Sequence, residues 1–449
     1  MLGLNKWVQK NHILKQNYNL KQMKKFIIAL TFSSLLFFLA CDDDAETVTV
    51  TETVTETDTV TVTETEIDTV TVTVIEGIEV TISSNITSDV TWSSDSVYIL
   101  AGRIAVTSGA TLTIEPGTIV KGEYGAGANA TALLIARGGT LNAQGTASAP
   151  IIFTSVVDEV QPGGNVSPNL EPDVSGLWGG IIVLGNAPSS LGDDAAETNI
   201  EGIPTTDING LYGGTDAADN SGTISYISIR HGGSNIGEGN EINGLTLGGV
   251  GTGTTIEGVE VVANQDDGIE WFGGTVSVSK ALIWNAGDDS MDTDQDWQGT
   301  CTDYIIVTPQ GGSAFELDGP EGTAKVNDVG SGYHTFSNGV VYAGADIDHV
   351  VDWDGSTNAA LVGLYIFGLD SAVAAAGNSI ESFGGDESGT SSAWEITLPT
   401  GVDATTVLGT SAAAITTTVA AGSRTQGPAA SMFDWTWAGI SGALTGIGL

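Results

Sequence analysis

The sequence predicts an all-β fold: a right-handed parallel β-helix, a solenoid of about 22–25 residues per coil, preceded by a disordered stalk. Two repeated phrases predict it. The first, Asp266-Asp267-Gly268-Ile269-Glu270, recurs 22 residues later as Asp288-Asp289-Ser290-Met291-Asp292. Its register extends to Leu245, Ile269, Met291, Phe315 and Val351, at steps of 24, 22, 24 and 36, the last lengthened by an inserted loop over residues 321–337. The second phrase is apolar-x-x-apolar-x-apolar. It occurs as Ile224/Ile227/Ile229, Ile256/Val259/Val261, Val278/Ala281/Ile283, Cys301/Tyr304/Ile306, Phe336/Gly339/Val341 and Leu361/Leu364/Ile366. Two interleaved strand phrases per coil are what a parallel β-helix requires. With 61 glycines against 11 prolines, tight turns are frequent without a collagen-like pattern.

Charge is distributed unevenly. Of 13 basic residues six are lysines within residues 1–40, where there is no acid, so residues 41–449 carry 7 basic against 55 acidic groups. Such a surface repels phosphate backbones, which excludes nucleic acid as a partner and favours divalent cations.

In chain order, residues 1–22 read as an upstream extension, with translation expected to start at Met23. Residues 23–40 place Met23-Lys24-Lys25 before an apolar run and form a secretory signal. No other stretch could span a bilayer as a helix, which argues against a transporter. Residues 41–79 read as a stalk; within it residues 46–74 are almost entirely Thr, Val, Glu and Asp, too acidic and uniform to bury a face, and would reach on the order of 90 Å fully extended at about 3.3 Å per residue. Residues 80–449 form the β-helix with a C-terminal cap. Its early strands are short apolar runs such as Leu112-Thr113-Ile114 and Pro150-Ile151-Ile152-Phe153, and an acidic loop over residues 185–222 precedes the clear repeats.

Phe38-Leu39-Ala40-Cys41 resembles the lipobox of bacterial lipoproteins, with Phe38 where leucine is usual. The resemblance implies that Cys41 is lipidated and leaves Cys301 without a partner. Asp42-Asp43-Asp44 resembles the acidic signal that sends lipoproteins of Bacteroidetes to the outer face of the outer membrane, and Asp58-Thr59-Val60 and Asp68-Thr69-Val70 resemble that group's O-glycosylation site, at Thr59 and Thr69. The segments TLTIEPGTIVKGEYGAGANATALLIARGGTLNAQGTASAPIIFTS, GLWGGIIVLGNAP, DDGIEWFGGTV, AGDDSMDTDQDW and FDWTWA are similar to a family of uncharacterised Bacteroidetes surface lipoproteins with a parallel β-helix body. That resemblance implies a fold and a place on the cell surface, and carries no reaction and no catalytic residues.

The repeats also build a chemical surface. In each strand of the first phrase the apolar residue points inward and the next outward. Stacked coils then form an outer column Thr246/Glu270/Asp292/Glu316/Asp352 and a neighbouring column Gly248/Phe272/Asp294/Asp318/Asp354, with rungs about 4.8 Å apart. Carboxylates at that spacing repel unless they take protons or share cations. Calcium (Ca2+), which accepts many oxygens in flexible geometry, is the expected cation, with Glu270, Asp292, Asp294, Asp296, Glu316, Asp318, Asp352 and Asp354 as candidate ligands. The D-x-D-x-D spacing of Asp292, Asp294 and Asp296 departs from a helix-loop-helix calcium site, because Trp297 stands where glycine is needed and Asp303 where glutamate closes the loop. The Asp-Asp pairs at 266–267 and 288–289 are expected to shape corners. Phe272, pointing outward between acids, is a candidate sugar platform.

The expected function is a non-catalytic binding or adhesion module, anchored in the outer membrane through Cys41 and stabilised by calcium, whose partner is an extracellular glycan or surface protein. One alternative is a glycoside hydrolase or lyase using Glu270, Asp292 and Glu316, since carboxylates one rung apart match a retaining separation of about 5 Å. Gln265-Asp266-Asp267 with Asp292-Thr293-Asp294 resembles the acid clusters of polygalacturonases, but in the wrong order and without the Gly-His-Gly and Arg-x-Lys elements; Arg230-His231-Gly232 is the nearest fragment. Another is an accessory lipoprotein of an outer-membrane uptake complex. No His or Cys spacing suits zinc. Cys301 is expected to be a buried thiol, His334 to lie in the inserted loop, and Trp271, Trp353, Trp435 and Trp437 to take inward or capping positions.

Overall fold

The computed structural model describes residues 78–449, apart from 235–241, 309–311, 324–333, 346, 355, 372–373, 375–378 and 381–390. The expected signal, Cys41, Thr59, Thr69 and nearly all of the stalk lie outside the described residues.

Two parallel sheets form the body, of 15 and 8 strands among the described residues. The smaller, here the ladder sheet, contains Leu245–Gly248, Ile269–Phe272, Met291–Asp294, Phe315–Leu317 and Asp352–Trp353 as successive neighbours. Its register is the one the first phrase predicts: Leu245 pairs with Ile269, Ile269 with Met291, Met291 with Phe315, and Glu316 with Asp352. The larger sheet takes the second phrase. Gly222–Arg230, Thr255–Val262, Val278–Trp284, Thr300–Val307, His334–Tyr342 and Ala359–Phe367 stack in order. Their inward residues, with those of the ladder sheet, make one continuous core along the solenoid. No helix among the described residues is long and apolar enough to cross a membrane.

Each long strand turns at one left-handed residue between the first two apolar positions of the phrase: Tyr226, Gly258, Lys280, Asp303, Asn338 and Gly363, at φ between 48° and 72°. That conformation explains the unequal spacing of the phrase, because the turning residue drops out of the inward-outward alternation. The glycine in the middle slot of one copy also has a cause. A Cβ on Gly339 would lie 1.9 Å from Cζ of its register partner Tyr304, so the tyrosine fills the space that an apolar side chain takes in other coils.

Three expectations are corrected. The first strand, Ile78–Ile82, begins two residues before the expected boundary at 80. His334 opens a strand instead of lying in the inserted loop: it is 3% exposed, with Nε2 3.3 Å from Thr293 Oγ1 and its ring 5.3 Å from that of Trp297, so it belongs to the packed interior. Burial holds its imidazole neutral, pushing its pKa down to about 3. Trp435 and Trp437 neither fill the inner core nor close the end of the solenoid. The C-terminal arm, residues 424–449, runs back along the outside of the larger sheet, where Val262, Leu282, Trp284, Ile305 and Val307 present an apolar outer face that needs cover. Fully buried Glu260 anchors the arm by accepting hydrogen bonds from the backbone N–H groups of Trp437 and Ala438, both at 3.0 Å, while Arg230 lies 5.0 Å over the Trp437 ring. Trp271, Trp353 and Cys301 point inward as expected.

The ladder sheet is covered too. Residues 185–222 form a strap across its outer face, with a small antiparallel pair of their own, Thr198–Asn199 with Leu211–Tyr212. Leu191, Ile200, Ile203 and Tyr212 of the strap pack with Leu134, Ile182, Leu184 and Phe272 in a separate apolar cluster.

Candidate functional site

Parallel pairing sets Glu270 opposite Thr246 on one side and Asp292 on the other, with Glu316 and then Asp352 continuing the column. The expected column therefore exists. Its environment differs from the expectation of an open acidic face, because Glu270 is only 7% and Asp292 only 8% exposed. Phe272 points outside the core, as its register requires, but it is 5% exposed and packed against Tyr212, ring centroids 6.2 Å apart. It is therefore no open sugar platform. The strap supplies the apolar partner that an outward phenylalanine needs.

The corner aspartates do more than shape turns. Asp267 Oδ1 accepts a hydrogen bond from Asp289 N at 2.9 Å, and Asp289 Oδ1 accepts one from Ser313 N at 2.8 Å, so each aspartate ties its coil to the next. In addition, carboxylate oxygens of Asp267, Glu270 and Asp292 lie within 4.8 Å of one another, and Asp266, Asp267 and Asp288 make a second, more exposed group. Asn243 holds the equivalent corner one coil earlier, and its Nδ2 donates to Glu270 Oε2. Asp267 and Asn243 are the residues that sequence reasoning left out of the site. The signal was available: Asp267 precedes Glu270 by three residues, and the phrase repeats at a fixed period.

Burial pushes the carboxyls of Asp267, Glu270 and Asp292 well above the usual range, and neighbouring carboxylates push them further. For Glu270 those neighbours include Glu201 of the strap. Glu270 and Asp292, with carboxylate oxygens within 4.8 Å of one another, face each other without an intervening basic side chain among the described residues. Burial, with the Asp289 contact next, raises Glu316 to about 8; burial and Glu321 raise Asp294 to about 7. The charges acting most strongly on these groups are all negative.

The remaining candidates lie outside the trio, although the charges of Glu316 and Asp294 act on Asp292. Asp294 is grouped electrostatically with Asp318 and Glu321, Asp352 acts on Glu316, Asp354 accepts from Ser356 Oγ at 3.1 Å, and Asp296 accepts from Gln298 Nε2 at 2.8 Å beyond the end of its strand.

Asp292 Oδ1 and Asn243 Oδ1 are buried without a hydrogen-bond partner among the described residues. Unsatisfied oxygens beside clustered carboxylates make a donor set suited to a hard cation, and calcium fits oxygen ligands of this kind. The same set is poorly placed for attack on a polymer, since each of the three carboxylates is less than a tenth exposed. The open surface is elsewhere. A shallow trough of about 300 Å³ on the larger sheet is lined by Thr254, Thr255, Glu257, Ser277, Ser279 and Thr302, among others, and Glu257 is paired with Lys280.

No curated protein and no solved structure is similar enough to the chain to match it. The pectate-lyase-like β-helix domain matches residues 84–436, more than three quarters of the chain. The match spans all the coils after the first strand, the strap, the acid cluster and half of the arm, and the chain therefore belongs to the pectate-lyase-like β-helix domain family.

Proposed function

We propose that this protein is a cell-surface lipoprotein that acts as a non-catalytic binding or adhesion module for an extracellular polysaccharide, with calcium held by Asp267, Glu270 and Asp292 as a stabilising ion. The observation that carries this reading is the burial of the three carboxylates, each less than a tenth exposed, with Asp292 Oδ1 left unpaired. A catalytic pair must reach its substrate, whereas a structural cation site is served by enclosure. Family membership supports a polysaccharide-related role, and the hydroxyl-lined trough supplies an open face on which neutral sugars can hydrogen-bond. The anchor at Cys41, and with it the outer-membrane location, rests on the lipobox-like residues and the acidic run that follows them.

A second reading, polysaccharide cleavage, is favoured by one observation: Glu270 and Asp292 stand one rung apart, the separation that a retaining glycosidase uses.

Titration calorimetry of the protein with calcium, followed by glycan binding in calcium, tests the proposal. Binding heat that disappears in Asp292→Asn, together with glycan retention without cleavage, is the expected result. Polysaccharide hydrolysis that is lost in Glu270→Gln would replace the binding reading with the enzymatic one.

A further inference from the structure

The strap packs on the ladder sheet and the arm on the second half of the long strands, while the first half of those strands, before the left-handed residue, stays open. There each strand alternates inward apolar side chains with outward polar ones. Parallel register stacks the outward residues into columns. Gln144, Ser225, Glu257, Ser279, Thr302 and Ser337 form one, each paired with the next over six coils in succession. A second column stands two residues earlier in each coil and includes Thr223, Thr255 and Thr300. All of these side chains are partly or fully exposed. The trough of about 300 Å³ is the middle stretch of this track. Residues 41–449 hold 55 acidic groups, yet the track carries one carboxylate, Glu257, and that is paired with Lys280. The surface is also pre-set: its hydroxyls sit on paired strands, and Ser277 Oγ accepts a hydrogen bond from Thr300 N at 3.1 Å.

We propose that this track binds one extended chain of a neutral polysaccharide lengthwise along the solenoid, with one sugar per rung. The proposal deepens the polysaccharide-binding reading, on which it rests, by adding the direction of the chain and its charge class. An extended polymer whose repeat is close to the rung spacing, about 4.8 Å, meets the same donors and acceptors at every coil, and β-1,4-linked pyranoses satisfy that condition. Charge selects the occupant. A uronate polymer needs basic partners for its carboxylates, and here Lys280 is already committed to Glu257 in a strongly acidic chain. A neutral sugar meets no such repulsion, and its hydroxyls donate and accept as those of Ser and Thr do. Without an aromatic side chain in either column, the track holds its ligand by many small contacts, so affinity grows with the number of rungs covered.

Gel retention of the full chain, in calcium, on β-1,4-linked glucan, xylan and mannan and on polygalacturonate tests this, followed by calorimetric titration with the disaccharide and hexasaccharide of the neutral polymer retained. The hexasaccharide is expected to bind about tenfold or more tighter than the disaccharide, and polygalacturonate to pass unretained. Ser279→Ala/Thr302→Val removes two hydroxyls from the middle of the track and is expected to weaken hexasaccharide binding about tenfold with the melting temperature unchanged. Thr302→Ser, which keeps its hydroxyl, should bind like the unmodified protein. Neutral-polymer binding that is undiminished in the double variant would overturn the track and leave polysaccharide binding standing at another face. Retention of polygalacturonate alone would likewise overturn the track only. Retention of none of the four polymers would overturn both readings.

Discussion

Glu270 and Asp292 are register partners on adjacent coils, more than nine-tenths buried, with carboxylate oxygens within 4.8 Å of one another. Protons and cations are competing solutions to one problem, the crowding of negative charge in a buried site.

This competition gives stability a definite dependence on pH. Asp294, at about 7, and Glu316, at about 8, retain protons that the unfolded chain releases near pH 4, and Asp267, Glu270 and Asp292 are raised well above the normal range as well. The folded state binds more protons than the unfolded state, so stability falls as pH rises through that window. His334, depressed to about 3, acts oppositely, adding stability as pH rises from 3 to 6.5. Above pH 6.5 the raised carboxylates Asp294 and Glu316 set the slope. The melting temperature in chelator is expected to fall between pH 6.5 and 8.5, and calcium to flatten the slope. A chelated protein whose melting temperature is level or rising over that range contradicts the assignment.

Neutralising one member of the pair should stabilise the metal-free protein. Asp292→Asn or Glu270→Gln at pH 8 in chelator is expected to gain about 1–2 kcal/mol, one pKa unit of relief being worth about 1.4 kcal/mol. In calcium the same variants should fall behind the unmodified protein, because only a ligand of the native state stabilises it. Denaturant titrations in both buffers would measure the crossing, and two parallel curves would refute it.

Packing at Tyr304 and Gly339 is a matched pair. Gly339→Ala places a methyl group into the Tyr304 ring and should cost about 1–3 kcal/mol or more, and Tyr304→Ala about 3–5 kcal/mol for the cavity left. The double variant should lose less than the sum, since each change relieves part of the other. Additive losses in a denaturation cycle would mean that the two sites do not meet.

The arm should be detachable in energetic terms. Trp437→Ala removes a side chain that is 3% exposed and packed against Trp284, His231 and Arg230, at an expected cost of about 3–5 kcal/mol. Glu260→Ala takes away the acceptor for two arm amides and the nearest carboxylate to buried Arg230, with a similar expected loss. Limited proteolysis should release residues near 424–449 first in either variant. Cleavage elsewhere with the arm intact would argue against this anchoring.

The solenoid itself was legible because its information is periodic. Ile269, Met291 and Phe315 announce their pairing by position alone, and Glu270, Asp292 and Glu316 follow one residue later. Strap and arm have no period. Nothing in residues 185–222 says which face they cover, so the burial of Phe272 was hidden, and Trp437 read as core because an outward apolar position looks like an inward one until its neighbours are known. Asp267 was half legible: its corner hydrogen bond follows from residue type, while its place in the trio depends on the side-chain directions of two strands.

A stack of coils joined only to its neighbours would unravel from its ends, one rung at a time. Here the strap reaches from Arg103 to Thr323, and the arm from Tyr365 and Arg424 back to Arg230, so both run lengthwise across many rungs. Like staves bound along a barrel, they make the loss of any middle rung a loss for distant ones. Melting should accordingly be cooperative over the whole body, with fraying confined to rungs that neither stave crosses.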